Sequence, residues 1–193
     1  MKKDGEICLV APGSPRCWAV SSSDTAPVLW SLAASVRLAG PGGERVIPIS
    51  ALYQDDGIQY LTKQRGEIVT EIVLPPADGV RSAYRKLRRR GSFDFPVLGV
   101  AAAVRMDGER VIDARIVLGA VASQPREAPE AARLLVGERL TAEVIERAAD
   151  AAYRPAKPLD NTDLTHPYRK KMTRVYVARA LRSLAGLPEA ASA

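Results

Sequence analysis

Cys8 and Cys17 stand close together near the start of the 193-residue chain. In a reducing compartment such a pair reads as free thiols or metal ligands rather than a disulfide. A second concentration of chemistry is cationic. Arg81, Arg85, Lys86, Arg88, Arg89 and Arg90 lie within ten residues. A cluster of this kind attracts the phosphates of a nucleic acid, a nucleotide cofactor or coenzyme A, or else forms a solvated face. No helix-turn-helix, zinc-finger or RNA-binding signature accompanies it, and aromatic residues make up 5% of the chain, so nucleic acid is the weakest of these readings. His166 is the only histidine and precedes Pro167-Tyr168. No serine or cysteine nucleophile sits in a recognisable motif beside it, which favours a surface or helix-entry role over catalysis. Asp160, Asn161 and Asp163 lack the glycine and distal glutamate of a calcium loop and read as turn and cap residues.

These side chains need elements to position them. Residues 1–20 are rich in Gly and Pro and read as loop. Ser21-Ser22-Ser23-Asp24 supplies N-cap chemistry for a helix over 25–34, with the Asp24 carboxylate accepting first-turn amide hydrogens. Val36 and Leu38, then Val46, Ile47 and Ile49, flank Gly40-Pro41-Gly42-Gly43 and predict two strands joined by a turn. Pro48 places the second strand at an edge or ends it. A polar stretch, 53–57, leads to a strand over 67–74 that Pro75-Pro76 stops. A second unit begins near Val80. Strands are predicted over 82–87, 97–106 and 111–121, with a hairpin turn at Asp107-Gly108. Period-two alternation puts Ile112, Ala114, Ile116 and Leu118 on one face. Helices follow over 128–135, 141–153 and 168–184, the last with Met172, Val175, Tyr176, Ala178 and Leu181 near one side. Strands followed by helices describe an α+β layer.

Composition bounds the rest. Apolar residues make up 47% and charged residues 26%, the mix of a globular domain or two small ones, with a net charge of +6. No apolar run approaches the ~20 residues that span a bilayer. The polar start carries no signal-peptide stretch, so the expectation is a cytoplasmic protein without a membrane or nucleic-acid partner.

Several short stretches, taken in order, resemble a known family. Cys17-Trp18-Ala19-Val20, Ser23-Asp24-Thr25-Ala26-Pro27, Gly66-Glu67-Ile68 and Leu74-Pro75 are similar to the back half of the FAD domain in medium subunits of molybdenum hydroxylases. Tyr84-Arg85-Lys86-Leu87-Arg88, Ser92-Phe93-Asp94, Leu118-Gly119-Ala120-Val121 with Pro125-Arg126, and Tyr168-Arg169-Lys170 with Arg179-Ala180-Leu181 continue it. The resemblance runs over roughly 17–186 and rests on shared order rather than on any single motif. It implies an α+β fold. The C-terminal part of a PCMH-type FAD-binding domain (1–78, with a remnant of an iron–sulfur loop at 1–17) would precede a C-terminal flavoprotein domain (79–193). The latter would be a three-stranded antiparallel sheet packed with three helices. The glycine-rich loops that hold the FAD pyrophosphate in the family precede the region matched, which implies an N-terminally truncated chain.

The resemblance also implies roles. Asp24 matches the aspartate beside the flavin, where a carboxylate accepts hydrogen bonds from the ring; the plain alternative is a helix cap. Val69 matches the position bordering the isoalloxazine, or is an ordinary strand residue. Lys86 matches a lysine near the flavin edge, where a cation stabilises charge growing on reduced flavin, or is merely solvated. Arg90 could serve a similar end. The start resembles the 4-hydroxybenzoyl-CoA reductase branch, whose medium subunit carries an inserted 4Fe–4S cluster. Cys8 and Cys17 would be its last two ligands, so only two of four are present. The implied protein is an oxidoreductase subunit, not self-sufficient. It would relay electrons through FAD beside a molybdopterin-binding large subunit and a 2Fe–2S small subunit. The alternative is a flavin-free scaffold of such a complex.

Overall fold

A computed structural model describes residues 2–3, 7–8, 10–91, 93–160 and 162–188. The elements run β1 Lys2–Lys3, β2 Ile7–Cys8, α1 Thr25–Ser31, β3 Ser35–Gly40, β4 Gly43–Pro48, α2 Ile49–Leu52, β5 Ile68–Val73, β6 Val80–Leu87, β7 Leu98–Asp107, β8 Arg110–Gly119, β9 Arg126–Glu127, α3 Pro129–Arg133, α4 Ala142–Ala152 and α5 His166–Ala185. The fold is mixed α and β, as the sequence predicts.

Antiparallel β3, β4 and β5 form the first sheet, in the order β4-β3-β5, so β4 lies at an edge as Pro48 foretells. Val36 and Leu38 alternate inward and meet Ala34, Ile49 and Leu52 in a small core. That core includes no residue of β5. Every residue of β5 is exposed, on both faces.

The second sheet runs β6-β7-β8-β9, one short strand more than the three expected. The two-residue β9 is too short for a hydrophobic period to reveal it. One face buries Val100, Ala102, Val104, Ala114, Ile116 and Leu118 against α3, α4 and α5. A bulge pairs Arg105 with Asp113 and Met106 with Val111. The extra residue is Ile112, which is exposed, and Val111 takes the core position assigned to it from alternation. A register shift of this kind follows from the partner strand, which local pattern does not encode.

The opposite face of that sheet is lined by small residues, Gly99, Ala101, Ala103 and Gly119, and α1 lies on it. A Cβ at Gly119 would come within 3.2 Å of Pro27 Cγ, so glycine permits the close approach. Ser21 and the turn after β8 exchange hydrogen bonds, Ser21 N to Ala122 O at 3.0 Å and Ala120 N to Ser21 O at 3.1 Å, which fix the segment entering α1.

In α5 the buried residues are Arg169, Thr173, Val177, Ala178, Ala180, Leu181 and Leu184, and Met172 and Tyr176 pack against the same core, so the predicted side faces inward with Arg169 and Thr173 added to it. Arg169 is fully buried. It donates from Nε to Val97 O at 2.9 Å, from Nη1 to Leu159 O at 2.9 Å and from Nη2 to Ala120 O. A guanidinium is buried here because each of its three nitrogens has a carbonyl acceptor. Pro167 near the start of α5 and Gly186 just past its end, in the left-handed region at φ 68°, bound the helix. Among the described residues no helix is long and apolar enough to cross a membrane.

Candidate functional site

Strand β6 pairs with β7 at the sheet edge, and its alternate residues Tyr84 and Lys86, opposite Ala101 and Gly99, lie on the face that carries α1. Gly99 has no side chain, and a Cβ would sit 2.8 Å from the Tyr84 hydroxyl, so the ring lies flat across β7. Both side chains meet Asp24 at the start of α1. Tyr84 Oη donates to Oδ1 at 2.8 Å and Lys86 Nζ donates to Oδ2 at 2.8 Å. Burial, reinforced by the hydrogen bond to Asp24, pushes the Tyr84 phenol far above its ordinary range, so it stays a donor.

The structure corrects the capping role of Asp24. Its own backbone is already helical, at φ −76° and ψ −42°, and its carboxylate bonds no first-turn amide. Ser23 Oγ accepts from Ala26 N at 3.1 Å instead. With the cap satisfied by Ser23, Asp24 is released to face β6.

A cavity of about 270 Å³ opens beside this cluster, lined by Asp24, Lys86, Arg88, Phe93, Asp94 and Phe95. The loop after β6 builds its outer wall. Asp94 accepts from the amides of Arg89 and Arg90 at 3.0 and 2.9 Å, and Arg90 Nη2 donates to Phe93 O at 2.8 Å. These bonds hold Phe93 in the left-handed region at φ 46°, 98% exposed, with Phe95 75% exposed beyond it. Two aromatic rings held in water next to two carboxylates and two cations can take a flat, polar-edged ring system.

Of the residues singled out in the sequence, Asp24 and Lys86 come together here. Val69 is not among the residues lining the cavity. It is exposed on β5, paired with Leu38 of β3 in the three-stranded sheet. Arg90 is turned to Asp94 and the Phe93 carbonyl. Arg89 pairs with Asp163 at 3.0 Å, so with Lys86 and Arg90 also paired the basic run is partly neutralised, while His166 lies 3.2 Å from Asp160. Tyr84, Phe93, Asp94 and Phe95 carried no assigned role in the sequence. The one available signal was the spacing of Tyr84 and Lys86, two apart on a strand and hence on one face.

Cys8 and Cys17 are both buried. Cys8 Sγ accepts from Ala11 N at 3.2 Å and Cys17 Sγ from Ala19 N at 3.4 Å. Among the described residues no group of three or more His, Cys, Asp or Glu side chains could hold a metal ion. Two thiolates alone do not hold a cubane cluster.

A three-stranded sheet unit is thus joined to a four-stranded sheet layered with helices, with the Asp24 cluster linking the start of α1 to β6. Residues 82–184 match the CO dehydrogenase flavoprotein C-terminal domain, and residues 5–77 match the FAD binding domain in molybdopterin dehydrogenase. The chain belongs to the family of FAD-binding medium subunits of molybdenum hydroxylases, of the CO dehydrogenase kind. It is 31% identical over 160 residues to the carbon monoxide dehydrogenase medium chain of Afipia carboxidovorans, covering 82% of this chain and 54% of that one. It is 27% identical over 164 residues to the glyceraldehyde dehydrogenase medium chain of Sulfolobus acidocaldarius, covering 85% and 57%. The crystal structure of the cyanide-inactivated Cu,Mo-CO dehydrogenase superposes with a TM-score of 0.78 at 30% identity, covering 86% of this chain and 57% of that one. The chain thus spans about half the length of the curated relatives it matches.

Proposed function

We propose that this chain is the flavin-carrying electron-transfer subunit of a molybdenum-dependent hydroxylase or reductase complex. In this reading the ring end of FAD rests against the cavity beside Asp24. The observation that carries it is the Asp24 carboxylate, oriented by Tyr84 and Lys86 at the edge of a cavity walled by Phe93 and Phe95. Each Asp24 oxygen already accepts one hydrogen bond and keeps a second lone pair for a ring N–H. Tyr84, held protonated, fixes the carboxylate orientation. Lys86 sets the local charge, but its pairing with Asp24 at 2.8 Å makes the two a dipole rather than a free cation. Phe93 and Phe95 would exclude water from one side of the ring. FAD, when bound, supplies the interconversion of one-electron and two-electron transfer.

The residues fit the ring end of FAD only. The glycines of the β3–β4 turn, Gly42 and Gly43, face open space and form no phosphate cradle. Val69, exposed on β5, is assigned to the flavin border through the family resemblance alone. The partners in this reading are a molybdopterin-binding large subunit and a 2Fe–2S small subunit, in the cytoplasm. The 4-hydroxybenzoyl-CoA reductase branch is supported by Cys8 and Cys17, taken as two of four cluster ligands whose companions come from outside this sequence. No electron-transfer step is assigned to them. The bare exposed strand β5 favours a second reading, a flavin-free scaffold docking on the large subunit.

Titration of the purified chain with FAD, followed by flavin fluorescence, separates the two. The flavin reading expects binding that Asp24→Ala weakens by about tenfold, the loss of one good hydrogen-bonded contact. No binding to wild type, with retained association with the large subunit, establishes the scaffold instead.

A further inference from the structure

A second cavity, of about 220 Å³, lies at the seam between the two units, at the end of the four-stranded sheet opposite the loop after β6. Three rigid segments bound it. The first is the end of α1, where Ala33 is in the left-handed region at φ 57° and its amide bonds Trp30 O at 3.0 Å. The second is Leu74-Pro75-Pro76-Ala77, in which consecutive prolines fix the backbone and offer no N–H to the cavity. Its far end is tied down by Val80 N to Ala77 O at 3.0 Å and by Met106 N to Gly79 O at 2.9 Å. The third wall is the sheet itself.

The charged groups on that wall are Arg105, Asp113 and Arg115, all lining the cavity and all on the face toward α1. Asp113 and Arg115 pair at 3.6 Å. Arg105 is half-buried, and its guanidinium makes no hydrogen bond or ion pair with any described residue. Two guanidiniums against one carboxylate leave one positive charge uncompensated beside an apolar surface of Leu32, Leu74, Pro75 and Val80. A partly desolvated guanidinium without an acceptor favours an anion with two oxygens in its plane.

We propose that this seam cavity is a binding site, separate from the flavin cluster, for a small organic monoanion: an apolar ring or chain bearing one carboxylate. The carboxylate pairs with Arg105, and the apolar body packs between Leu74-Pro75 and Leu32. Because the walls come from both units, the ligand fixes the linker to the end of β7.

Benzoate serves as the probe, with benzyl alcohol as its neutral counterpart and inorganic phosphate as a bare anion. All three are titrated by ligand-observed NMR into the full chain and into Arg105→Gln and Arg105→Lys. The expected result is benzoate binding to wild type, weakened by about tenfold in Arg105→Gln and partly restored in Arg105→Lys. Benzyl alcohol should bind weakly and equally to all three proteins, which reports that the cavity is intact. Benzoate that fails to bind wild type, binds Arg105→Gln undiminished, or is matched by phosphate alone overturns the proposal.

Discussion

Lys86 Nζ lies 2.8 Å from Asp24 Oδ2, joining the first unit to the second across 62 residues of sequence. Tyr84 reaches the other carboxylate oxygen, so one acidic side chain is shared by two neighbours on a single strand. Each partner constrains what the others do, and the consequences are measurable.

Tyr84 is expected to titrate well above the ordinary phenol value of about 10. A folded-state pKa above the unfolded one means stability that is complete below about 10 and is lost as pH rises through the folded value. Asp24→Asn removes the carboxylate's share and leaves that of burial, so Tyr84 should move part of the way back. Ultraviolet titration of tyrosinate in the two proteins tests this; identical Tyr84 titration in both would contradict the pairing.

Removing the ion pair itself should cost little. Asp24 is about half exposed, so Lys86→Met is expected to change unfolding free energy by about 0–1 kcal/mol. Denaturant unfolding reads that, while flavin titration reads the loss of Lys86 separately. A larger stability loss would make the pair structural first.

Arg169 is different in kind. Arg169→Met leaves the carbonyls of Val97, Leu159 and Ala120 without their donor in the interior. Losing these charge-assisted bonds should cost about 3–5 kcal/mol. Arg169→Lys should rescue little, because one ammonium cannot span three carbonyls set for a planar fork. Equal stability of the lysine variant and wild type, by urea unfolding, would refute the account.

Glu67 accepts two hydrogen bonds from Arg45, at 2.7 and 2.9 Å, and one from Gln64 N. Those donors, Arg45 foremost, hold its carboxyl down at about 2. A depressed folded value contributes stability that is full above the ordinary carboxylate pKa of about 4.3 and is lost as pH falls toward 2. Stability of the wild type should therefore fall across that window more steeply than that of Glu67→Gln, measured by thermal unfolding at a series of pH values.

Strand β5 exposes Ile68, Val69, Ile72 and Val73 on both faces of a free sheet edge. An uncovered apolar edge templates pairing with other chains. Ile72→Lys should reduce self-association in sedimentation experiments without lowering the thermal midpoint, since no core residue covers Ile72. An unchanged sedimentation profile would show that another surface governs association.

Much of the fold was present in local pattern. Proline and glycine punctuation, period-two strands and helical spacing depend on near neighbours, and the helices predicted over 141–153 and 168–184 form at Ala142–Ala152 and His166–Ala185. Asp24 and Lys86 could be singled out by resemblance, but not their contact, nor the fact that Ser23 rather than Asp24 caps α1. Which oxygen satisfies a helix end depends on what else competes for the neighbouring carboxylate, and the competitors arrive from β6. The bulge at Ile112 depends likewise on the register of β7. The burial of Arg169 depends on three carbonyls from separate segments, and the isolation of Arg105 on the meeting of two units. Such relations are set by long-range geometry, because a charge or a donor finds its partner only when the chain has folded around it.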